Sequence, residues 1–171
     1  MKAWRRVRVG TAVVVALAAC DAKAPTPGNA VGAASTTSAP ASTYSSRTGH
    51  FDFAVPLAWS TSVRIVEEPG ASAVGTWPHV QHAVHFVYQP SGAGARQETV
   101  LSILAYTDAA FDRAATSSRP LAGTEVARAN GRVFAALLSS KNPYAAGAPD
   151  HDRFAALLPA LPAVKGAITP K

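Results

Sequence analysis

The chain has 171 residues, 48% hydrophobic and 15% charged, with a formal net charge of +6 and a single cysteine. That length suits one domain plus a flexible or removable segment, and one cysteine excludes a disulfide-stapled scaffold. Nor does the charge point to nucleic acid: Lys2, Arg5, Arg6 and Arg8 open the chain, and from Cys20 onward twelve basic side chains face ten acidic ones. A charge excess confined to one end says nothing about what the remainder binds, and no nucleic-acid partner is expected.

In chain order, the first element is a targeting segment. The basic stretch MKAWRRVR is followed by eleven mostly apolar residues, 9–19, and then Cys20. A membrane-spanning helix needs about 20 apolar residues, so this run reads as a signal peptide and not as a permanent anchor. Leu17-Ala18-Ala19-Cys20 resembles the bacterial lipobox. The resemblance implies that the Cys20 sulfur receives a diacylglycerol, that a type II signal peptidase cuts before Cys20, and that the freed amine is acylated. A thiolate is a competent nucleophile for the lipid transfer, and two alanines leave room for a membrane-embedded protease. Several acyl chains give stable anchoring where one gives only reversible binding. No cofactor is expected beyond this covalent lipid. In lipoproteins of this kind an aspartate after the cysteine, here Asp21, favours the inner membrane, with the domain facing the periplasm. Arg5-Arg6 raises twin-arginine export, but its neighbours fit that motif poorly.

Residues 20–49 are dominated by Ala, Ser, Thr, Pro and Gly, with one aromatic, Tyr44. Such a composition cannot bury enough apolar surface to offset ordering entropy, so a disordered tether is expected. Its 28 residues beyond Asp21 would average about 30 Å end to end as a flexible coil.

A single globular domain is expected over residues 50–171. Phe51, Phe53 and Val55 alternate on a first strand that Pro56 ends, and residues 61–67 alternate Val63 and Ile65 on a second. A third strand over 80–89 places Val80, Val84, Phe86 and Tyr88 on one face. TVLSILAY, residues 99–106, is almost continuously apolar and suits a central strand covered on both sides. Asp108 is placed to cap a short helix over 109–117. Asn130-Gly131 between apolar runs 121–129 and 132–139 signals a hairpin. Asp150 is read as the N-cap of a helix presenting Phe154, Leu157, Leu158 and Leu161, broken after Leu158 by Pro159 and Pro162. The expected fold is α+β: a mainly antiparallel sheet of five or six strands, a C-terminal helix packed on one face and a second short helix.

Phe51-x-Phe53-x-x-Pro56-x-x-Trp59, the central strand, the Asn-Gly hairpin, Asn142-Pro143-Tyr144 and the terminal helix resemble small bacterial secreted and lipoprotein domains. Their organisation is similar to the PsbP/Mog1-like α/β sandwich. That resemblance implies an architecture and brings no catalytic residues with it.

Candidate chemistry is sparse. His79, His82 and His85 are the densest set of metal-ligand side chains, and three imidazoles with an open position could hold a hydrolytic zinc. On a strand, however, His82 and His85 point to opposite faces. His151-Asp152 lacks the further His and Asp residues of a metal phosphohydrolase. Adjacent Glu67 and Glu68 also diverge on a strand, which separates them as an acid/base pair. Gly92-x-Gly94 has Gln97 where a third glycine would stand, and no nucleophile motif occurs.

The expectation is therefore a non-enzymatic, lipid-anchored domain that binds an envelope protein or glycan. Trp77, His79, Arg128, Arg132 and Tyr144 are its candidate contact residues, because loop aromatics and arginines dominate interface energetics. The competing expectations are an inhibitor or immunity protein against a cell-wall-degrading toxin, a metal-dependent hydrolase using His79/His82/His85, and a small-ligand carrier.

Overall fold

The computed structural model describes residues 40–70, 77–92, 94–118 and 121–171. Cys20, Asp21 and the expected signal segment and tether, as far as residue 39, lie outside them. Among the described residues the fold is α+β, with eight strands in two antiparallel sheets and three α-helices. No helix among them is long and apolar enough to cross a membrane.

The strands are β1 (Pro40–Ser46), β2 (Phe51–Pro56), β3 (Val63–Pro69), β4 (His82–Tyr88), β5 (Glu98–Thr107), β6 (Thr124–Ala129), β7 (Arg132–Leu138) and β8 (Ile168–Pro170). The helices are α1 (Asp108–Ala115), α2 (Pro149–Leu157) and α3 (Leu161–Ala167). Where the strand pattern predicts one sheet, two form: β3-β4-β5-β7-β6, and a smaller β1-β2-β8. The strand carrying Phe51 and Phe53 pairs with β1 and β8, so it faces the larger sheet and does not extend it. Regular structure also includes residues before position 50, which the tether expectation covers, since Tyr44 and its neighbours pair with β2. Composition hides this strand because its stability comes from the Phe-rich partner and not from its own apolar content.

The main core lies between the sheets. Phe51, Phe53 and Val55 on β2 meet Val84 and Phe86 on β4, Leu101 and Ile103 on β5, and Phe134 on β7. Rings meet edge-on or tilted, with Phe53 and Phe86 at 4.9 Å and Phe51 and Phe134 at 5.6 Å. Each buried phenylalanine contributes about 1.5–3 kcal/mol from burial alone. Phe154, Leu157 and Val164 close this core from α2 and α3. The Trp59 indole N–H donates to the Leu157 carbonyl at 3.1 Å, satisfying a carbonyl that the end of α2 leaves without a helical partner.

The opposite face of the larger sheet is covered on one half by α1 and the segments around Val80 and Leu121, which pack on Ala83, Leu104, Tyr106 and Val133. Val80 thus lies across the sheet from Val84 and Phe86. A turn closed by Val80 N–H and the Trp77 carbonyl interrupts the alternation before β4 begins at His82. Thr107, and not Asp108, caps α1 by accepting from Ala110 N–H at 3.1 Å; Asp108 is the first helical residue and pairs with Arg128. The C-terminal helix is two helices, because Pro159 and Pro162 leave only a short break between them.

Candidate functional site

The half of the outer sheet face that the described helices and segments leave open forms a depression of about 680 Å³. Four strands build its centre. Cross-strand pairing aligns Val66, His85, Ser102 and Leu137 in one row over β3, β4, β5 and β7. Ser102 is the polar break in the apolar strand TVLSILAY, and it is buried. Its hydroxyl lies 2.8 Å from His85 Nδ1, while His85 Nε2 stands 3.6 Å from Glu68 Oε2. Trp77 lies over the imidazole, with ring centroids 5.4 Å apart and planes at 34°. Arg64, on β3 ahead of Val66, donates to Gln97 at 3.2 Å.

Ser102, His85 and Glu68 have the composition of a nucleophile, base and orienting acid. The described surroundings do not complete that machinery. Backbone on both sides of Ser102 is engaged in ladders with β4 and β7, and an oxyanion needs free N–H groups aimed at it. His85 and Glu68 are also beyond hydrogen-bond distance. What the row does provide is a fixed polar pair, His85 and Ser102, set in an otherwise apolar floor beneath an aromatic ring.

His82 occupies the other face and is buried, with its Nε2 3.5 Å from Glu67 Oε2 and neither ring nitrogen hydrogen-bonded. Glu67 in turn accepts from the Tyr44 hydroxyl of β1. Burial holds the His82 pKa down, with Arg132 and His50 adding to that effect and Glu67 opposing it. Burial and the Glu67 carboxylate together push the Tyr44 phenol upward. His79 is exposed in a left-handed conformation, φ 75°, beside a separate depression. The three histidines therefore do not converge, and no group of three His, Cys, Asp or Glu side chains among the described residues is placed to share a metal ion.

The remaining sequence-derived candidates are scattered. Arg128 is held among Asp108, Asp112 and Glu125 and lies 5.5 Å from the centre of the Phe111 ring, joining α1 to β6. Arg132 begins β7 beyond the Asn130-Gly131 turn. Tyr144 packs edge-on against Tyr88 and Phe154, and its hydroxyl donates to the Arg96 carbonyl at 2.8 Å. Asp150 does not cap α2: Ala148 holds that position, Pro149 starts the helix, and Asp150 turns inward. Its Oδ1 accepts from Tyr88 OH at 2.6 Å and from Ser91 N and Oγ at 3.1 Å, which lowers its pKa. Burial, chiefly, pushes the Tyr88 pKa to about 12.

Of the five candidate contact residues, only Trp77 lines the central depression. Sequence reasoning misses Ser102 and Arg64. An isolated serine in an apolar strand is a visible signal, but its partner His85 emerges only when β4 and β5 are placed in register.

Comparison with protein-family models, with curated proteins and with solved structures finds no match to this chain.

Proposed function

We propose that this chain is an exported lipoprotein, anchored through Cys20, whose domain binds another envelope component without catalysing a reaction. The lipobox supports the anchor. One observation supports the binding role: the described residues leave half of the outer sheet face open, and it carries buried, mutually fixed polar side chains beneath Trp77. A face left open only by chance would need neither an imidazole nor a hydroxyl, because polar groups withdrawn from water destabilise the fold unless they are paired. Ligand sites combine an apolar lining with a few convergent polar groups, which is the composition here.

Two measurements test this. Globomycin, which blocks type II signal peptidase, should make a precursor retaining residues 1–19 accumulate; mature, unlipidated protein free in the periplasm would remove the anchor. A photo-crosslinking amino acid at Gln97 or Ser140, on the rim, should trap a component in living cells, whereas one at exposed Ala155 on α2 should not. Equal or absent trapping at all three positions would sink the binding role.

A further inference from the structure

We infer that the depression over His85 and Ser102 takes a neutral oligosaccharide, one sugar ring lying against Trp77; this rests on the binding role proposed above. The lining divides into two chemistries. Val66, Val87 and Leu137 give an apolar floor, while Arg64, Glu68 and Gln97 supply planar polar groups around it. A pyranose divides the same way, with weakly polar C–H faces and hydroxyls around its edge. C–H groups are attracted to the negative face of an indole, and the hydroxyls both donate to a carboxylate and accept from a guanidinium or amide.

Charge narrows the class. The lining holds one formal cation, Arg64, and one formal anion, Glu68, so no net field selects an anionic or cationic ligand. Backbone geometry argues against a peptide. An extended peptide must satisfy its own N–H and C=O groups, which a sheet edge can do and a sheet face cannot. Here the centre of the floor is a face of β4, β5 and β7, each paired on both sides, and only β3 at one margin is a sheet edge. Sugar hydroxyls need only side-chain partners.

The site is also pre-organised. Ser102 fixes His85, and His85 lies under Trp77, so the aromatic platform is in place before a ligand arrives. That lowers the ordering entropy lost on binding. The volume of about 680 Å³ falls within the range of small-molecule sites, and its openness to solvent lets a chain of several rings continue past it.

The test uses the full chain in a zwitterionic detergent, because sugar-headed detergents would compete. Calorimetry and tryptophan fluorescence are followed with triacetylchitotriose, maltotriose and cellotriose, and with tri-alanine as the peptide probe. At least one trisaccharide should saturate. Trp77→Ala should weaken it about tenfold through loss of the stacking contact, Glu68→Gln should weaken it less, and Trp77→Phe should retain part of the affinity. Unchanged thermal unfolding in these variants shows that the fold is intact. Failure of all three sugars to saturate by about 10 mM, well beyond a weak millimolar affinity, overturns the inference. So does saturation by tri-alanine with the same Trp77 dependence, or sugar binding indifferent to Trp77→Ala. Rim crosslinks without sugar binding leave the binding role standing and reject only the ligand class; the loss of both rejects both.

Discussion

Ser102 Oγ and His85 Nδ1 face each other at 2.8 Å across the β4–β5 ladder, both buried, in a strand pair whose other buried residues, His82 apart, are Val, Leu, Ile, Ala and aromatic. The pair is the link between the sheet's core and its open face, since the same imidazole carries Trp77.

Truncating one member should therefore harm the fold more than replacing both. Ser102→Ala leaves a buried ring nitrogen without its hydroxyl and is expected to lower stability by about 1–3 kcal/mol. The double variant Ser102→Ala/His85→Leu should lose less than the sum of the two single changes, because no orphaned polar atom remains. Urea unfolding of the four proteins measures the coupling; strict additivity would mean that the contact has no energetic reality.

His82 predicts an acid-side loss of stability. Its folded pKa lies below the unfolded value, chiefly through burial, so below about pH 6.5 the unfolded chain takes up a proton that the folded chain resists. Stability is full above that unfolded pKa and declines as pH falls from it toward the folded value. The groups facing His82 are Glu67, Arg132 and His50. Thermal unfolding from pH 8 to 5 should show wild type declining below pH 7 relative to His82→Leu, with parallel curves above. Parallel curves throughout would refute it.

Asp150 acts at lower pH. Its carboxylate is held below the ordinary range by the Tyr88 hydroxyl first and Ser91 second. A depressed folded pKa gives stability that is present above the unfolded value, about 3.9, and lost as pH falls through the folded value. Asp150→Asn should lower the melting temperature by a few degrees at neutral pH. The deficit should shrink on acidification toward pH 2, and a deficit independent of pH would contradict this assignment.

Two glycines in left-handed conformation should differ sharply. Gly131, φ 73°, completes the Asn130 hairpin turn, and an alanine methyl there would meet open space. At Gly123, φ 81°, the same methyl would sit 2.9 Å from the Ala136 carbonyl oxygen. Gly131→Ala is expected to cost about 1 kcal/mol, and Gly123→Ala clearly more, because conformational strain and a backbone clash add. Denaturant midpoints of equal size for the two variants would show the clash is relieved without penalty.

Most local elements, though not β1 or β8, and the α+β class are legible in the order of residues. Alternation of Phe51, Phe53 and Val55 reads as a strand because successive side chains point to opposite faces. Asn130-Gly131 reads as a hairpin turn because both residues tolerate positive φ, and they adopt 52° and 73°. The divergence of His82 and His85, and of Glu67 and Glu68, follows from the same period-two geometry. Folding in three dimensions settles the rest: which strands share a sheet, that β1 arises from an apparent spacer, and that Asp150 faces Tyr88 instead of its own helix end. It also makes Ser102, seventeen residues from His85, the neighbour of that imidazole. Pairing partners and register are set by contacts distant along the chain, and periodicity along one strand carries no information about them.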